Sequence, residues 1–164
     1  MTNKLWAPWR SAYVTRLDHK ARGCIFCKLE REKKDNDNYI FIREKHSYAV
    51  LNIYPYNNGH VLIVPFKHVN DIIRLTQKEK DNLFYLCELV KSLLEEILKP
   101  DGYNIGMNIG RAAGAGVPGH IHLHLVPRWK GDANFMAVVG NTRVISRALK
   151  ELYKKLRHAY SKRH

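Results

Sequence analysis

The sequence lacks any apolar run long enough to cross a membrane. A membrane-spanning helix needs about 20 consecutive apolar residues, and no segment approaches that length. The N-terminal segment also lacks the continuous apolar region of a secretory signal peptide. These absences exclude a membrane-spanning helix and predict a cytoplasmic protein.

Cysteine is scarce, with three in 164 residues. So few cysteines exclude a disulfide-stabilised fold and favour a reducing compartment. Cys24 and Cys27 form a Cys-x-x-Cys motif, which indicates half of a zinc site, a redox pair or two surface thiols. No strand precedes Cys24 as a thioredoxin-like pair would require, so we favour zinc, with His68 and His120 as the other ligands. Cys87 lies on the apolar face of a predicted helix and is expected to be an inert core residue.

Acidic residues are also few, since 15 Asp and Glu face 28 Lys and Arg and leave a net charge of +13. This balance suits a partner that carries phosphate groups. Residues 141–164 contain eight Lys or Arg against the single acid Glu151 and predict a basic C-terminal helix. Such a helix is more often a solvated face than a nucleic-acid contact, and nucleic-acid binding is not expected.

The apolar pattern predicts one α+β domain spanning residues 1–164. A capping box at Thr76 and Glu79 begins a long helix that ends at Pro100, and a last amphipathic helix begins at Thr142. Consecutive strands between helices argue for an antiparallel sheet. An aromatic N-terminal arm is predicted at residues 1–20, strands at 39–43, 48–53, 60–65, 103–109 and 120–128, a short helix at 28–34, and an edge strand at 135–139.

Three histidines alternate with large apolar residues along residues 120–125. Strict alternation predicts a half-buried strand whose imidazoles share one face, with Ile121, Leu123 and Leu125 on the other. At about 3.3 Å per residue, His120 and His124 lie about 13 Å apart, too far to share one metal ion. We therefore expect the three imidazoles to have different roles.

A glycine-rich segment at residues 110–119 leads directly into this strand. Glycine lets the backbone approach a ligand closely and direct successive N–H groups at an oxyanion. No Gly-Lys-Ser/Thr follows, which excludes a Walker-type nucleotide site. A flexible loop is the alternative, but its position favours a phosphate cradle formed by Gly114, Ala115, Gly116 and Val117.

Neutral imidazole is a competent nucleophile toward phosphorus near neutral pH. His122, in the middle of the three, is the candidate, and a backbone carbonyl that accepts from its Nδ1–H would fix the required tautomer. The amides of the glycine-rich loop would then neutralise charge on the phosphoryl oxygens. His124 and His60 are expected to contact the leaving group or to support these residues.

Residues 120–126 follow the pattern His-φ-His-φ-His-φ-φ and resemble the hallmark of the histidine triad superfamily. The resemblance covers nearly the whole chain. Residues 58–65 resemble the Gly-His strand of that superfamily, and the four proposed metal ligands match its zinc-bearing branch. Residues 5–10, 112–118 and 128–136 resemble a bacterial subgroup associated with diadenosine tetraphosphate phosphorylase activity.

The resemblance implies an enzyme that carries structural zinc and forms a homodimer with the sheet continued across two subunits; a tetramer is left open. It implies that His122 attacks an α-phosphorus to form a nucleotidyl-histidine. It also implies that Asn52 and Ile53 line the ribose and base pocket. Asn108 would approach the α-phosphate or ribose, His124 would contact the phosphate, and His60 would support them.

The acceptor that releases the nucleotide is inorganic phosphate in a phosphorylase and water in a hydrolase. Many superfamily members carry a glutamine or serine in the loop before the triad, where this chain has only Gly114, Ala115, Gly116 and Val117. We interpret this space as room for a second phosphate, which favours phosphorolysis to ADP and ATP. A hydrolase of dinucleoside polyphosphates or nucleoside phosphoramidates is the alternative.

Two further functions are compatible with the same residues. In the first, His120 and His122 bind a catalytic zinc ion as a His-x-His pair in a metal-dependent hydrolase. In the second, the glycine-rich loop and the basic surface only hold phosphates, as in a nucleotide- or RNA-binding module without turnover. The checklist of residue roles favours the nucleotidyl transferase over both.

Overall fold

The computed structural model describes residues 23–132 and 149–163. Its centre is a five-stranded sheet with the strand order β1-β2-β3-β5-β4, and all neighbouring strands are antiparallel. The predicted α+β class and antiparallel sheet are therefore confirmed. The strands are β1 Ile40–Arg43, β2 Ser47–Leu51, β3 Val61–Pro65, β4 Gly102–Met107 and β5 Leu123–Arg128.

Four α-helices and one 3-10 turn accompany the sheet within the described ranges. The longest helix begins as predicted, because the Thr76 hydroxyl accepts from the Glu79 amide and the Glu79 carboxylate accepts from the Thr76 amide. None of these helices combines the length and apolar character that a bilayer span demands. The helices are α1 Ile25–Glu32, α2 Asp35–Asn38, α3 Gln77–Leu98 and α4 Leu149–Ser161, and the 3-10 turn is Ile72–Arg74.

Both faces of the sheet are covered near its middle. On one face the helices α3 and α4 pack against the sheet in the larger core cluster, which includes Cys87, as predicted. On the other face α1 inserts Phe26 into a smaller cluster. β2 and β3 are buried at every position, and apart from Ser47 at the start of β2 their sequences are apolar rather than alternating, as expected for strands covered on both faces. The smaller cluster, formed by Phe26, Ile40, Tyr48, Val50, Leu62 and Val64, places α1 beside the histidine segment.

The histidine segment differs from the predicted strand. β5 begins at Leu123, so the prediction that the strand starts at His120 was wrong. The His120 amide donates to the Val117 carbonyl at 3.2 Å and the Ile121 amide donates to the Val69 carbonyl at 2.7 Å. Residues 120–122 therefore precede the ladder between β3 and β5, which begins at Leu123, although Ile121, like Leu123 and Leu125, is buried as predicted.

Other boundaries of secondary-structure elements also differ from the predicted ones. The short helix predicted at residues 28–34 begins earlier, at Ile25, with Cys24 as its N-cap, and it ends where Lys33 adopts a left-handed conformation. The cysteine motif therefore lies on the first turn of α1. The predicted arm at residues 1–20, the edge strand at 135–139 and the start of the last helix at Thr142 lie outside the described residues.

Candidate active site and metal site

Two cysteines and two histidines meet where α1 approaches the segments after β3 and before β5. The ligand atoms of Cys24, Cys27, His68 and His120 all lie within 4.8 Å of one another. Nδ1 of His120 is 3.3 Å from Sγ of Cys24 and 3.3 Å from Nδ1 of His68, and Sγ of Cys27 is 3.3 Å from Nδ1 of His68. Donors about 2.0–2.3 Å from a tetrahedral zinc ion lie about 3.3–3.8 Å apart, so these residues fit zinc.

The ring of His120 is oriented as a metal ligand. Its Nε2–H donates to the Pro65 carbonyl at 2.8 Å, which leaves the Nδ1 lone pair directed at the two cysteines and His68. Metal-ligating histidines commonly fix their second nitrogen in this way. Burial lowers the pKa of His120 to about 4, so the ring is in its neutral, ligating form near neutral pH.

His122 makes its backbone hydrogen bond through Nδ1, whereas His120 makes its own through Nε2. Its Nδ1 lies 2.9 Å from the His120 carbonyl, and because a carbonyl only accepts, the proton resides on Nδ1. The lone pair therefore resides on Nε2. The side chain is buried, and burial lowers the pKa of His122, which favours the neutral ring that a nucleophile requires.

His60 and His124 are joined by a hydrogen bond whose direction can be assigned, and the ring of His124 contacts that of His122. Nδ1 of His60 accepts from the Tyr56 amide at 3.0 Å and lies 3.2 Å from Nδ2 of Asn52. In the neutral ring its proton is therefore on Nε2, which lies 2.9 Å from Nδ1 of His124. The amide of Asn52 is itself oriented, because its Oδ1 accepts from the Tyr54 amide at 3.0 Å.

This chain of hydrogen bonds assigns the tautomer of His124. Since Nδ1 of His124 accepts from His60, its own proton is on Nε2. The His122 and His124 ring centroids are 4.8 Å apart. Two neighbouring imidazoles thus have complementary chemistry, with a lone pair on Nε2 of His122 and a donor on Nε2 of His124.

The glycine-rich loop is held in shape by hydrogen bonds within its own backbone. The Gly114 amide donates to the Arg111 carbonyl at 3.0 Å, and the Ala115 amide donates to the Gly110 carbonyl at 3.3 Å. Gly110 and Gly114 have φ angles of 81° and 83°, which favour glycine. Asn108 donates from Nδ2 to the Gly114 carbonyl at 3.5 Å. Two of the four amides predicted to bind phosphate are therefore already engaged within the loop.

Asn52, Ile53 and His60 lie at the adjoining ends of β2 and β3, and the Asn52 amide donates to the His60 carbonyl at 2.9 Å. All three residues line one cavity of about 120 Å³, together with Leu149 and Leu152 of α4. Ile53 is 57% exposed, an unusual exposure for a large apolar side chain beside a buried histidine.

Sequence reasoning missed two aromatic residues at the site. The ring of Tyr56 stacks on His124 with a centroid distance of 5.7 Å and packs 4.7 Å from His60. The ring of Phe26 contacts both His120 and His122. The available signals were positional, since Phe26 stands between the two cysteines and Tyr56 lies four residues before His60.

His120 and His122 do not share a metal site. Among the described residues, the grouped ligands include His120 but not His122, whose Nδ1 is bonded to a carbonyl. The molecule is thus an antiparallel α+β protein with a Cys2His2 metal site and a separate histidine site.

The chain belongs to the HIT domain family and is an enzyme of that family; the family model described as HIT domain matches residues 33–131. It is 34% identical over 155 residues to the AP-4-A phosphorylase of Mycobacterium tuberculosis, covering 90% of this chain and 79% of that protein. It is 38% identical over 93 residues to the bis(5'-nucleosyl)-tetraphosphatase [asymmetrical] of Schizosaccharomyces pombe, covering 57% and 50% of the two chains.

A solved structure supports the metal assignment. The Zn-bound histidine triad family protein from Mycobacterium smegmatis matches with a TM-score of 0.69 and 26% identity, covering 85% of this chain and 94% of that one. Together with the Cys2His2 donor set, this similarity confirms the predicted zinc site and the predicted family.

Proposed function

We propose that the protein cleaves dinucleoside polyphosphates of the diadenosine tetraphosphate type by transferring a nucleotidyl group to His122. The observation that supports this most directly is the hydrogen bond from Nδ1 of His122 to the His120 carbonyl. It leaves Nε2 unprotonated and available for attack. The substrate class follows from the names of the relatives, an AP-4-A phosphorylase and a bis(5'-nucleosyl)-tetraphosphatase.

In the first step, Nε2 of His122 attacks the α-phosphorus, a P–N bond forms, and the P–O bond to the polyphosphate breaks. The electron pair of that bond leaves with the departing oxygen. Nε2–H of His124 donates to this oxygen as its negative charge develops. His60 and Asn52 hold His124 in the tautomer that can donate.

In the second step, an acceptor oxygen attacks the phosphorus and the P–N bond breaks, which regenerates neutral His122. With inorganic phosphate as acceptor, diadenosine tetraphosphate yields ATP in the first step and ADP in the second. With water, the second product is AMP. We favour phosphate because the loop side chains at residues 114–117 are small and leave room for this acceptor.

Charge on the phosphoryl oxygens requires donors close to His122. We assign this role to the amides of Gly116 and Val117, whereas Gly114 and Ala115 shape the loop through the bonds described above. Asn108, which is tied to the Gly114 carbonyl, would approach the α-phosphate or ribose. Asn52 and the exposed Ile53 would line the ribose and base pocket.

The zinc ion, when bound to Cys24, Cys27, His68 and His120, supplies structural cross-linking between α1 and the histidine segment. Two thiols placed to bind a metal rather than to form a disulfide support a cytoplasmic location. We also propose that residues 1–164 form one domain. The packing of α3 and α4 into the same core cluster as the sheet supports this.

We further propose a homodimer in which the sheet continues across two subunits. β4 is at the edge of the described sheet, where an unpaired strand can pair with another copy. Ile105 is 49% exposed and Ile109, just after the strand, is 43% exposed. Apolar exposure on a strand edge supports pairing there, and a tetramer would require a second interface.

Rapid quench in alkaline denaturant during turnover tests the proposed function. With diadenosine tetraphosphate labelled at an α-phosphorus, we expect an alkali-stable, acid-labile nucleotide bonded to His122 in the native protein and none in His122→Asn. The variant should retain substrate binding but lose turnover by at least about a thousandfold. Native turnover without a covalent intermediate would overturn the proposal, and undiminished turnover by His122→Asn would do the same.

Product analysis with added phosphate separates the two acceptors. ADP and ATP in equal amounts are expected. Formation of AMP and ATP without ADP would show a hydrolase and would contradict the phosphorylase assignment. Binding without any turnover in the native protein would instead identify a nucleotide-binding module.

A further inference from the structure

Phe26 links the metal site to the histidine site. It lies between the ligands Cys24 and Cys27 on the first turn of α1 and is 5% exposed. Its ring meets that of His120 edge to face at a centroid distance of 5.5 Å, and it packs against that of His122 at 4.9 Å with an interplanar angle of 53°. One side chain therefore touches a metal ligand and the nucleophile.

The position of Phe26 is fixed from three sides. Its carbonyl accepts from the Tyr48 hydroxyl at 3.0 Å, and its ring belongs to the smaller core cluster. The flanking cysteines are held by the metal when the site is loaded. The ring is thus anchored both to the sheet and to the metal site, whereas an ordinary core phenylalanine is held in place by packing alone.

The hydrogen bond at Nδ1 does not by itself fix the plane of the His122 ring. A bond at one ring atom sets the tautomer, but the ring can still rotate about its side-chain torsions while keeping that bond within its broad angular range. Among the residues that the structure describes, the aromatic rings in contact with His122 are those of Phe26 and His124, and His124 is held in turn by His60. The direction of the Nε2 lone pair therefore depends on Phe26.

We propose that Phe26 is a positioning residue, through which the metal-held first turn of α1 sets the ring plane of His122. This inference rests on the proposed role of His122 as nucleophile. Its consequence is that the spacing Cys-x-Phe-Cys serves two purposes, since the cysteines hold the metal and the intervening ring orients the catalytic imidazole. A metal site with another residue at position 26 would bind zinc but aim His122 less well.

The test compares Phe26→Leu with the matched control Phe66→Leu in the full-length, zinc-loaded protein. Phe66 packs against the same smaller cluster, with its ring 5.7 Å from that of Tyr48. Among the described ring contacts it meets none of the histidines. Metal content, kcat and KM are measured for each variant. For Phe26→Leu we expect full zinc content, a kcat lowered about tenfold and a KM changed less than about twofold, because orientation rather than binding is lost.

A second readout does not depend on activity. Nitrogen-15 spectra of the imidazoles at fixed pH should show His122 of the native protein as a single Nδ1–H tautomer. In Phe26→Leu we expect the same tautomer at unchanged zinc content, because the bond to the His120 carbonyl remains, but weakened nuclear Overhauser contacts between the His122 and His124 rings. In Phe66→Leu we expect native contacts. Native contacts between these rings and native kcat in Phe26→Leu would overturn the proposal, as would equal effects of the two variants.

If Phe26→Leu does not fold or loses zinc, Phe26→Met, which is closer in volume, takes its place. The native holoprotein also provides a direct check, because nuclear Overhauser contacts are expected between the Phe26 ring and the carbon-bound protons of His122. Their absence would overturn the proposal. Turnover retained in His122→Asn would refute the nucleophile assignment, while the ring contacts of His122 in the Phe26 variant would still test the positioning role.

Discussion

At the scale of single residues, the chemistry of the site depends on which nitrogen of each histidine carries the proton. His120 donates through Nε2 to the Pro65 carbonyl, whereas His122 donates through Nδ1 to the carbonyl of His120. His60 is set by a backbone amide and a side-chain amide, and it sets His124 in turn. The three triad histidines therefore present a metal-ligand nitrogen on His120, a lone pair on Nε2 of His122 and a donor on Nε2 of His124.

His60→Ala tests the donor role of His124. Without the His60 proton, Nδ1 of His124 loses its donor and the ring can place its own proton on Nδ1, away from the leaving group. We expect kcat for diadenosine tetraphosphate to fall about a hundredfold. An AMP ester of p-nitrophenol, whose leaving group needs no proton, should lose less than about tenfold. The pair of substrates is compared by steady-state kinetics.

His46→Ala is the control for this experiment. The backbone amide and carbonyl of His46 bond to Asn82 and to the Phe66 amide, and these bonds survive the substitution. Native rates are expected with both substrates. An equal loss of rate for the two substrates in His60→Ala would show that His60 only supports the fold.

The sequence predicted that a backbone carbonyl fixes the Nδ1–H tautomer of His122, as the bond to the His120 carbonyl does, but it did not predict the tautomers of His60, His120 and His124. The alternation of residues 120–125 and the Cys-x-x-Cys motif identify His122 and the four metal ligands. The tautomers depend on contacts with backbone groups such as the Pro65 carbonyl, 55 residues from His120, and no local pattern encodes such contacts. The role of Phe26 was missed for the same reason, since its partners come from a distant segment.

At the scale of secondary-structure elements, the strands were predictable because β2 and β3 are short apolar runs between turn residues. The start of β5 was not, because the Val69 carbonyl accepts from the Ile121 amide and removes residues 120–122 from the ladder. The start of α1 could not be predicted either. Cys24 makes no side-chain capping bond, so the sequence offers no strong signal for the helix N-terminus.

Cys24→Ser tests the structural role of the metal site that holds α1. Loss of one thiolate weakens zinc binding, and binding energy in a structural site contributes to folding. We expect unfolding to become easier by at least about 2 kcal/mol, which lowers the Tm by roughly 4–8 °C in a chain of this size. Calorimetry with and without a chelator measures the change.

The rate of the folded Cys24→Ser protein should fall by about tenfold at most, since only the orientation of His122 is relaxed. Cys87→Ala, which removes a buried thiol outside the metal cluster, should retain zinc. A complete loss of turnover in folded Cys24→Ser would instead indicate a catalytic metal and contradict the structural assignment.

The turn after β5 is stabilised by the ion pair between Arg128 and Asp132, which is lost in acid. Asp132 accepts from Nε and Nη2 of Arg128 at 2.6 and 2.7 Å and from Nδ2 of Asn57 at 2.7 Å. The bonds from Arg128 are the main cause that lowers the pKa of Asp132 to about 2. Because the folded pKa lies below the unfolded value of about 3.9, this contribution to stability is present above pH 4 and is lost as the pH falls toward 2.

Asp132→Asn should therefore be less stable than the native protein at pH 6 by about 1 kcal/mol, after allowance for solvent screening. The difference should shrink between pH 4 and pH 2. Urea unfolding at pH 6, 4 and 2.5 measures it. Asp37→Asn, on the exposed surface of α2, serves as the control. A difference that stays constant with pH would show that the carboxylate charge contributes nothing at this turn.

At the scale of the whole molecule, α4 and β4 present surfaces of different character. α4 buries Leu152, Tyr153, Leu156 and Ala159 and exposes most of its basic side chains. This arrangement agrees with a solvated basic face that attracts phosphorylated substrates over a distance. β4, at the edge of the described sheet, instead exposes the apolar side chain of Ile105, and an edge strand of this kind can pair with another copy.

Ile105→Lys tests whether that edge is the subunit interface. A lysine in a self-pairing strand brings like charges together across the twofold axis and blocks edge pairing. We expect the native protein to sediment as a dimer and the variant as a monomer at micromolar concentration. Ile73→Lys, at a side chain 78% exposed on the 3-10 turn, is the control and should remain dimeric. An unchanged dimer in Ile105→Lys would place the interface elsewhere, and a native tetramer reduced to a dimer would show that β4 forms one of two interfaces.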